Sequence, residues 1–304
     1  MRKPNFFIVG AAKAGTTALV TYLREHPGIF MPNFEPHYFV DDLPISLGRK
    51  PENLEGYQKL FATAGDYQLI GEKSVFYLYS KTAARKIAAF NPDAKIIIIL
   101  RNPVDLVYSL HSELYYKMNE DEEDFTRAWQ LQEERRRGNR IPKGCRVPFA
   151  LQYGDVGKFL IQVQRYKEHF LPDQIKIFLI DDLKRDTLGV YKETLEFLDV
   201  SYDGRDEFPC INPNKRNRSR FLAWVLNNKP PLITALRRGV NKLLGGRSTG
   251  VFKAVRIFNT STPRREPLDP KMRRRLTEYF REDIQALQQV IERDLSDWYR
   301  EFGN

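Results

Sequence analysis

Residues 6–17 have the types and spacing of a loop that binds an anion. A short apolar run is followed by Gly10 and Gly15, and a helical pattern begins directly after the second glycine. Backbone N–H groups at a helix N-terminus point at an anion, and the helix dipole favours negative charge there. The glycine spacing is that of a P-loop, but the lysine lies inside the loop, at Lys13. The loop therefore predicts a phospho-group other than the β/γ-phosphate pair of a nucleoside triphosphate.

A second candidate anion-binding group follows the strongest strand pattern of the chain. Residues 96–100 read Ile-Ile-Ile-Ile-Leu, which is typical of a strand buried on both faces of a parallel sheet. In a P-loop ATPase the matching strand ends in an Asp that helps to hold Mg²⁺. Here the strand ends in Arg101, and Ser109 follows two helical turns later. The two side chains predict an anionic ligand at this strand end.

Together these segments resemble the nucleotide-binding motifs of the sulfotransferases that use 3′-phosphoadenosine 5′-phosphosulfate (PAPS). The resemblance implies that Arg101 and Ser109 hold the 3′-phosphate of the nucleotide. It also implies a 5′-phosphosulfate loop formed by Lys13, Ala14, Gly15, Thr16 and Thr17. Two further segments are similar to the heparan-sulfate type branch of the family, namely Glu35-Pro36-His37-Tyr38-Phe39 and Gly71-Glu72-Lys73-Ser74. The resemblance covers most of the chain.

Four side chains are candidates for catalytic roles. In the heparan-sulfate type branch the glutamate is the catalytic base, which here is Glu35. Such a base is needed because an acceptor hydroxyl is a poor nucleophile until its proton is removed. We assign Lys13 to the leaving phosphate, since negative charge builds up on that oxygen during sulfuryl transfer. His37 can orient the acceptor or share the proton, and Lys73 can stabilise the sulfonate or bind the acceptor.

PAPS is the expected cosubstrate, PAP is its product, and no metal ion is expected. A transferred sulfuryl group bears less charge than a phosphoryl group, so a Mg²⁺ clamp is not needed. The four histidines have no metal-ligand spacing with one another or with a cysteine, which argues against a zinc site.

Basic charge is concentrated late in the chain. Residues 213–275 contain 17 Lys and Arg against two Asp and Glu, whereas the remainder contains 32 against 37. Part of this region resembles the late basic loop that folds over the nucleotide in sulfotransferases, and the resemblance adds to the nucleotide site Lys215, Arg216, Arg218 and Ser219. The region can instead cover the acceptor cleft, bind an anionic polymer or contact a membrane surface. A solvated basic helix with its apolar side toward the core is an equal alternative. No nucleic acid partner is predicted, because no recognised module accompanies the charge.

Strand-like and helical segments alternate along much of the chain. Strands are predicted at 6–9, 68–71, 95–100 and 175–180, and helices at 16–25, 54–64, 81–90, 103–117, 124–137, 156–170 and 188–198. This alternation predicts an α/β fold: a P-loop-like parallel β-sheet flanked by helices on both faces, with a basic C-terminal helical region. Ligands of such folds bind beyond the carboxyl ends of the strands, where Lys13, Lys73 and Arg101 all fall.

Length and composition favour a soluble protein with one large domain. The chain of 304 residues is 42% hydrophobic and 29% charged, and we predict a single domain over residues 1–304 with the basic region as an insert or lid. Cys145 and Cys210 are expected to be free thiols in a reducing compartment. Neither a signal peptide nor a transmembrane run is evident, so a cytoplasmic location is expected.

We expect a sulfotransferase that modifies a hydroxyl, with a carbohydrate such as an anionic saccharide as the acceptor. A lipid, a small metabolite and a carrier-bound polyketide are alternative acceptors. A P-loop kinase or NTPase is an alternative of another class, although the position of Lys13 and the presence of Arg101 count against it. A non-enzymatic nucleotide-binding or membrane-docking module is the remaining alternative. The oligomeric state is not predicted.

Overall fold

The central sheet contains five parallel strands. The computed structural model describes residues 3–45, 50–65, 67–209, 216–228, 251–262 and 265–300. The strands are β1 (Phe6–Gly10), β2 (Ile29–Phe30), β3 (Leu69–Lys73), β4 (Lys95–Leu100) and β5 (Ile175–Leu179). Their order across the sheet is β2-β3-β1-β4-β5, and every pairing is parallel. Each strand therefore returns to the same edge through a crossover connection.

Helices make up most of these connections and continue beyond the sheet. The described helices are α1 (Thr16–Arg24), α2 (Leu54–Lys59), α3 (Ala83–Phe90), α4 (Pro103–Tyr116), α5 (Phe125–Gln130), α6 (Gln132–Arg136), α7 (Tyr153–Gly157), α8 (Leu160–Lys167), α9 (Ile180–Arg185), α10 (Thr187–Phe197), α11 (Arg220–Asn228), α12 (Val251–Asn259) and α13 (Pro270–Ile291). The last three form the described part of the basic C-terminal region. A two-stranded antiparallel ribbon joins β6 (Arg216–Asn217) to β7 (Thr260–Ser261). The predicted fold class is confirmed.

The core lies on both faces of the sheet. Every residue of β1 is buried, and residues 96–100 of β4 have no exposed surface. This is why β4 is an unbroken apolar run rather than an alternating one, since both faces of a parallel sheet are covered by helices. The burial makes β1 and β4 the rigid frame from which the loops at their carboxyl ends project.

Two predicted helices are interrupted in the structure. In both cases a side chain forms a hydrogen bond with a backbone group at the break. The predicted helix 124–137 is divided into α5 and α6. The amide of Gln132 donates to the carbonyl of Trp129 (2.8 Å), where a continuous helix would accept a backbone N–H. The predicted helix 156–170 is interrupted between Gly157, where α7 ends, and Leu160, where α8 begins. There the Asp283 carboxylate accepts the N–H groups of Phe159 (2.8 Å) and Leu160 (3.3 Å).

Smaller differences concern segment ends. The predicted helix 54–64 ends at Lys59 and is followed by a short 3₁₀ turn, Ala62–Ala64. Strand β2 has only two residues and was not predicted, because so short a run has no periodicity. Residues 46–49, 210–215 and 229–250 lie outside the described residues, so the predictions for Lys215 and Cys210 concern positions outside the described part of the chain.

Three neighbouring strands bring the predicted cations to one edge of the sheet. Strands β3, β1 and β4 are adjacent, and they lead directly into Lys73, the Lys13 loop and Arg101. The register places Ile8 beside Lys73 and Gly10 beside Ile98, so the three carboxyl ends are at similar height. Among the described helices, none is both long and apolar enough to cross a membrane.

Candidate active site at the carboxyl edge of the sheet

The loop after β1 turns sharply into helix α1. Gly15 has a φ of 88° and precedes the helix, whereas Lys13 has a φ of 62°, which is uncommon for a residue with a side chain. The guanidinium of Arg101 donates to the carbonyl of Lys13 (3.0 Å) and so ties the loop to the end of β4. The backbone therefore presents a helix N-terminus, and Lys13 lies in the turn that leads into it.

The ammonium of Lys13 forms an ion pair across the cleft. It donates to Oε2 of Glu113 (2.9 Å), which lies in the last turn of α4. Oε1 of the same carboxylate accepts from Lys117 (2.6 Å). Burial alone would raise the pKa of Glu113, but the charges and hydrogen bonds of Lys117 and Lys13 outweigh it and lower this pKa to about 2. Glu113 is therefore an anion at any physiological pH.

Arg101 and Ser109 lie beside a third group that the sequence analysis missed. Ser109 is buried, and its hydroxyl accepts a hydrogen bond from Arg265 (3.3 Å). Burial lowers the pKa of Arg265, and the neighbouring charge of Arg101 lowers it further. Two guanidinium groups that repel each other beside a hydroxyl make a site for a multiply charged anion. The arrangement fits a phosphate group, and Arg265 could not be singled out among the 17 cations of the basic region.

Glu35, His37 and Lys73 form a connected network. Lys73 donates to Oε1 of Glu35 (2.7 Å) and to the hydroxyl of Thr17 (3.2 Å) in the first turn of α1. The other carboxylate oxygen accepts the backbone N–H of Val75 (3.1 Å) and lies 3.3 Å from Nε2 of His37. The single ammonium of Lys73 thus connects the candidate base to the anion-binding loop.

The electrostatics of this network favour an ionised Glu35. Burial acts to raise the pKa of this carboxyl group. The hydrogen bond from His37 and the positive charge of Lys73 act in the opposite direction and prevail, so the pKa lies well below its ordinary value. About 29% of the Glu35 side chain is exposed, which leaves the carboxylate accessible from the cleft.

A buried carboxylate on β3, Glu72, is linked to the network of Glu35, His37 and Lys73 through Ser74. Glu72 has no exposed surface and accepts hydrogen bonds from Tyr57 (2.6 Å), Ser74 (2.6 Å) and Tyr77 (3.2 Å). The Ser74 hydroxyl in turn accepts the backbone N–H of His37 (2.9 Å). Burial raises the pKa of Glu72, and the three hydroxyl donors offset only part of that effect. Glu72 therefore holds the turn that positions His37.

His37 itself is buried in a constrained position. Its φ is 51°, and its ring packs near the rings of Phe76 (5.6 Å between centroids) and Tyr77 (6.3 Å). Nε2 faces Glu35, whereas Nδ1 is buried and has no hydrogen-bond partner among the described residues. Nε2 is therefore the ring nitrogen through which His37 acts on Glu35.

The late basic segment packs against the far end of α4. The Asn217 amide donates to the carbonyl of Tyr116 (2.7 Å), and the exposed Arg216 pairs with Glu123 (2.7 Å). Arg218 lies over the ring of Phe258, and the backbone N–H of Ser219 donates to the side chain of Asn259 (2.8 Å). The contacts described for these three predicted residues do not reach the Lys13 loop or Arg101. Their role at the nucleotide stays a prediction.

Helical spacing could have identified Glu113 from the sequence. It follows Ser109 by four residues on a predicted helix, so the two side chains share a face. Within the described residues there is no group of His, Cys, Asp and Glu side chains arranged to hold a metal ion.

The fold brings these cations and carboxylates to one edge of the parallel sheet, and comparison with known families identifies the class of protein. The model of the sulfotransferase domain matches residues 3–289, and the chain belongs to this family. The described structure is similar to that of a sulfotransferase from Alicyclobacillus acidocaldarius, with a TM-score of 0.74 and 28% identity over 99% of this chain and 100% of that chain.

Two human proteins are similar in sequence. Bifunctional heparan sulfate N-deacetylase/N-sulfotransferase 3 is 28% identical over 208 residues, which cover 66% of this chain and 22% of that protein. Heparan sulfate glucosamine 3-O-sulfotransferase 6 is 36% identical over 116 residues, which cover 38% of this chain and 32% of that protein. The matches thus span a third or less of the length of these relatives.

Proposed function

We propose that this chain transfers a sulfonate group from PAPS to an acceptor hydroxyl, with Glu35 as the base. The observation that carries the proposal is the bridge formed by Lys73 between Glu35 and Thr17. It places a carboxylate next to an anion-binding loop, and a base beside a sulfonate donor is what this transfer requires. Membership of the sulfotransferase family supports the same chemistry.

The proposed nucleotide site has two parts. The 5′ end of PAPS is held by the loop, through Lys13, Ala14, Gly15, Thr16 and Thr17. The 3′-phosphate is held by Arg101 and Ser109, to which we add Arg265 because its guanidinium contacts Ser109. The repulsion between the two guanidinium groups favours an anion there. Lys215, Arg216, Arg218 and Ser219 remain predicted contributors from the basic segment.

The proposed reaction is an in-line displacement at sulfur. The acceptor oxygen forms a bond to sulfur while the bond between sulfur and the bridging phosphate oxygen breaks, and PAP leaves. The proton of the acceptor hydroxyl passes to Glu35. Negative charge accumulates on the leaving phosphate, where the ammonium of Lys13 stabilises it. No metal ion takes part in these steps.

Glu35 must become more basic before it can accept a proton. Burial acts to raise its pKa, but the contacts with His37 and Lys73 keep this pKa depressed. If Lys73 moves toward the incoming sulfonate, Glu35 loses a positive neighbour and its pKa rises toward its ordinary value. Arrival of the sulfonate thereby activates the base, and His37 keeps it oriented.

A saccharide is the proposed acceptor. The two human relatives are named for heparan sulfate, and an anionic saccharide also suits the basic charge of residues 213–275. A lipid, a small metabolite and a carrier-bound polyketide stay open as acceptors. A cytoplasmic location and contact of the basic region with a membrane surface stay predictions.

Calorimetric titration with 3′,5′-ADP, and separately with ADP plus Mg²⁺, tests the proposal. We expect metal-independent binding of 3′,5′-ADP that is much tighter than that of Mg·ADP. Replacing Arg101 with alanine should weaken 3′,5′-ADP binding by about 2–3 kcal/mol, the size of a lost charge-assisted contact. Arg136→Ala, which removes an exposed arginine paired with Asp155, is the matched control.

Other outcomes discriminate the alternatives. A preference for Mg·ADP with Mg²⁺-dependent turnover would make the protein a P-loop kinase or NTPase. Two results together would favour the non-enzymatic module: the wild type binds 3′,5′-ADP but transfers no sulfonate from PAPS, and Lys13→Ala still binds 3′,5′-ADP normally.

A further inference from the structure

Glu113 is a carboxylate of the cleft that the proposed transfer does not use. It lies on α4 four residues after Ser109, so both side chains face the same side of the helix. A carboxylate beside a site for a highly anionic nucleotide is unexpected, because like charges repel. The question is therefore which function a negative charge at this position serves.

The contacts of Glu113 indicate what that function is. One carboxylate oxygen binds the ammonium of Lys13 (2.9 Å), which is the cation assigned to the leaving phosphate. The other binds Lys117 (2.6 Å), which anchors the carboxylate to its own helix. About 28% of each side chain of the Lys13–Glu113 pair is exposed, so the pair is partly shielded from water.

We propose that Glu113 is a positioning residue that holds the ammonium of Lys13 through this ion pair and competes with the nucleotide for it. The inference rests on the proposed function, because it presumes that a phosphosulfate occupies the loop. When the nucleotide binds, its phosphate oxygen replaces the carboxylate as the partner of Lys13. Glu113 thereby keeps the loop lysine in place while limiting the affinity for the product PAP.

The substitution Glu113→Gln distinguishes this role from a structural one. A residue that only stabilises the loop would weaken nucleotide binding when replaced. A competing carboxylate does the opposite, because its neutralisation frees Lys13. We expect Glu113→Gln to bind 3′,5′-ADP about three- to ten-fold more tightly at low salt, a gain of about 0.7–1.4 kcal/mol by the relation between affinity and free energy. The KM for PAPS should fall by a similar factor, whereas kcat should not rise.

The experiment is calorimetry of 3′,5′-ADP with the wild type, Glu113→Gln, Lys13→Ala and the double variant. Glu278→Gln is the matched control, since it removes the same charge from another carboxylate paired on a helix surface. The gain should be present with Lys13 and absent in the Lys13→Ala background. It should also shrink at high salt, because screening weakens the competing ion pair.

Three outcomes would overturn the inference. Unchanged or weaker binding by Glu113→Gln would mean that the carboxylate does not compete. An equal gain in 3′,5′-ADP affinity with Lys13 present and in Lys13→Ala would mean that Glu113 repels the nucleotide directly and does not act through Lys13. If the wild type fails to bind 3′,5′-ADP at all, the proposed function fails first and the inference fails with it.

Discussion

Glu35 illustrates how one residue meets two opposed requirements. As the proposed base it must be ionised to accept a proton, and the contacts with His37 and Lys73 ensure this. The same contacts make it a weak base until Lys73 is drawn away. If the sulfonate draws Lys73 away as proposed, Glu35 becomes an effective base only when PAPS is bound.

Replacing Glu35 with glutamine should abolish transfer and leave 3′,5′-ADP affinity nearly unchanged. The amide preserves the shape of the side chain, but it cannot accept the acceptor's proton. We expect a loss of at least about 100-fold in kcat, in the range found for general-base catalysis. Steady-state rates with PAPS and calorimetry with 3′,5′-ADP measure the two effects separately, and Glu55→Gln on the exposed surface of α2 is the control. Full activity in Glu35→Gln would remove Glu35 from the mechanism.

The depressed pKa of Glu35 also makes its contribution to the stability of the fold depend on pH. A carboxyl group whose pKa is lower in the folded state stabilises the fold above its unfolded pKa of about 4.3, and this contribution is lost as the pH falls toward the folded value. The stabilisation that ionised Glu35 gives the wild type over Glu35→Gln should therefore be present at pH 5 and above and shrink below about pH 4. Urea unfolding at several pH values measures it. A difference in stability that stays the same between pH 5 and pH 3 would contradict this assignment.

At the scale of elements, the end of β3 holds the proposed base in position through Glu72 and Lys73. The strand supplies Glu72 to the interior and Lys73 to the cleft, because successive side chains point to opposite faces. Glu72 binds the Ser74 hydroxyl that fixes the backbone of His37. Orientation of the base thus depends on a carboxylate that the acceptor cannot reach.

Replacing Glu72 with alanine should therefore cost stability as well as activity. It leaves the buried hydroxyls of Tyr57 and Tyr77 without their acceptor and opens a cavity, so we expect about 2–5 kcal/mol of destabilisation. Glu72→Gln keeps an acceptor oxygen and should cost less. Urea unfolding of both variants, with the exposed Glu55→Ala as control, checks the order. Equal stability of Glu72→Ala and the wild type would mean that this network does not hold the turn.

The same elements indicate how far the sequence could predict the structure. The strand at 95–100 and the βαβ alternation specified the sheet, because burial on both faces leaves a continuous apolar pattern. The convergence of Lys13, Lys73 and Arg101 followed from the rule for strand ends. The breaks before Leu160 and at Leu131 did not, because they depend on Asp283 and on the Gln132 amide, whose contacts arise from tertiary structure and side-chain geometry.

The candidate site was predictable to the same degree. Motifs gave the groups that are proposed to bind ligands, since the spacing of those groups is local. The partners of those groups come from elsewhere in the chain: Glu113 is 100 residues from Lys13, and Arg265 is 156 residues from Ser109. Helical spacing places Glu113 on the same face as Ser109, but no local pattern specifies that it pairs with Lys13 or that Arg265 contacts Ser109. Only the fold brings these partners together.

The whole molecule has a strongly uneven distribution of charge. Residues 213–275 carry 17 of its 49 cations with only two acidic residues, and the rest of the chain has more acidic than basic side chains. In the described part of this region, Arg256, Arg274 and Arg275 are exposed. If the proposed acceptor is an anionic saccharide, this surface should attract it through long-range electrostatics.

Replacing those three arginines with glutamine should weaken binding of heparin, used as a polyanionic saccharide probe, by about three- to thirty-fold, which corresponds to about 0.2–0.7 kcal/mol per exposed charge. The dependence of the affinity on salt should also become less steep, because fewer counterions are released on binding. A control variant with Arg137, Arg185 and Arg300 replaced by glutamine removes the same charge from exposed positions outside the region. Because both variants have the same net charge, any difference between them reports the location of the charge. Equal weakening in the two variants would mean that heparin binding depends on net charge alone. The proposal that the basic region attracts the acceptor would then be wrong.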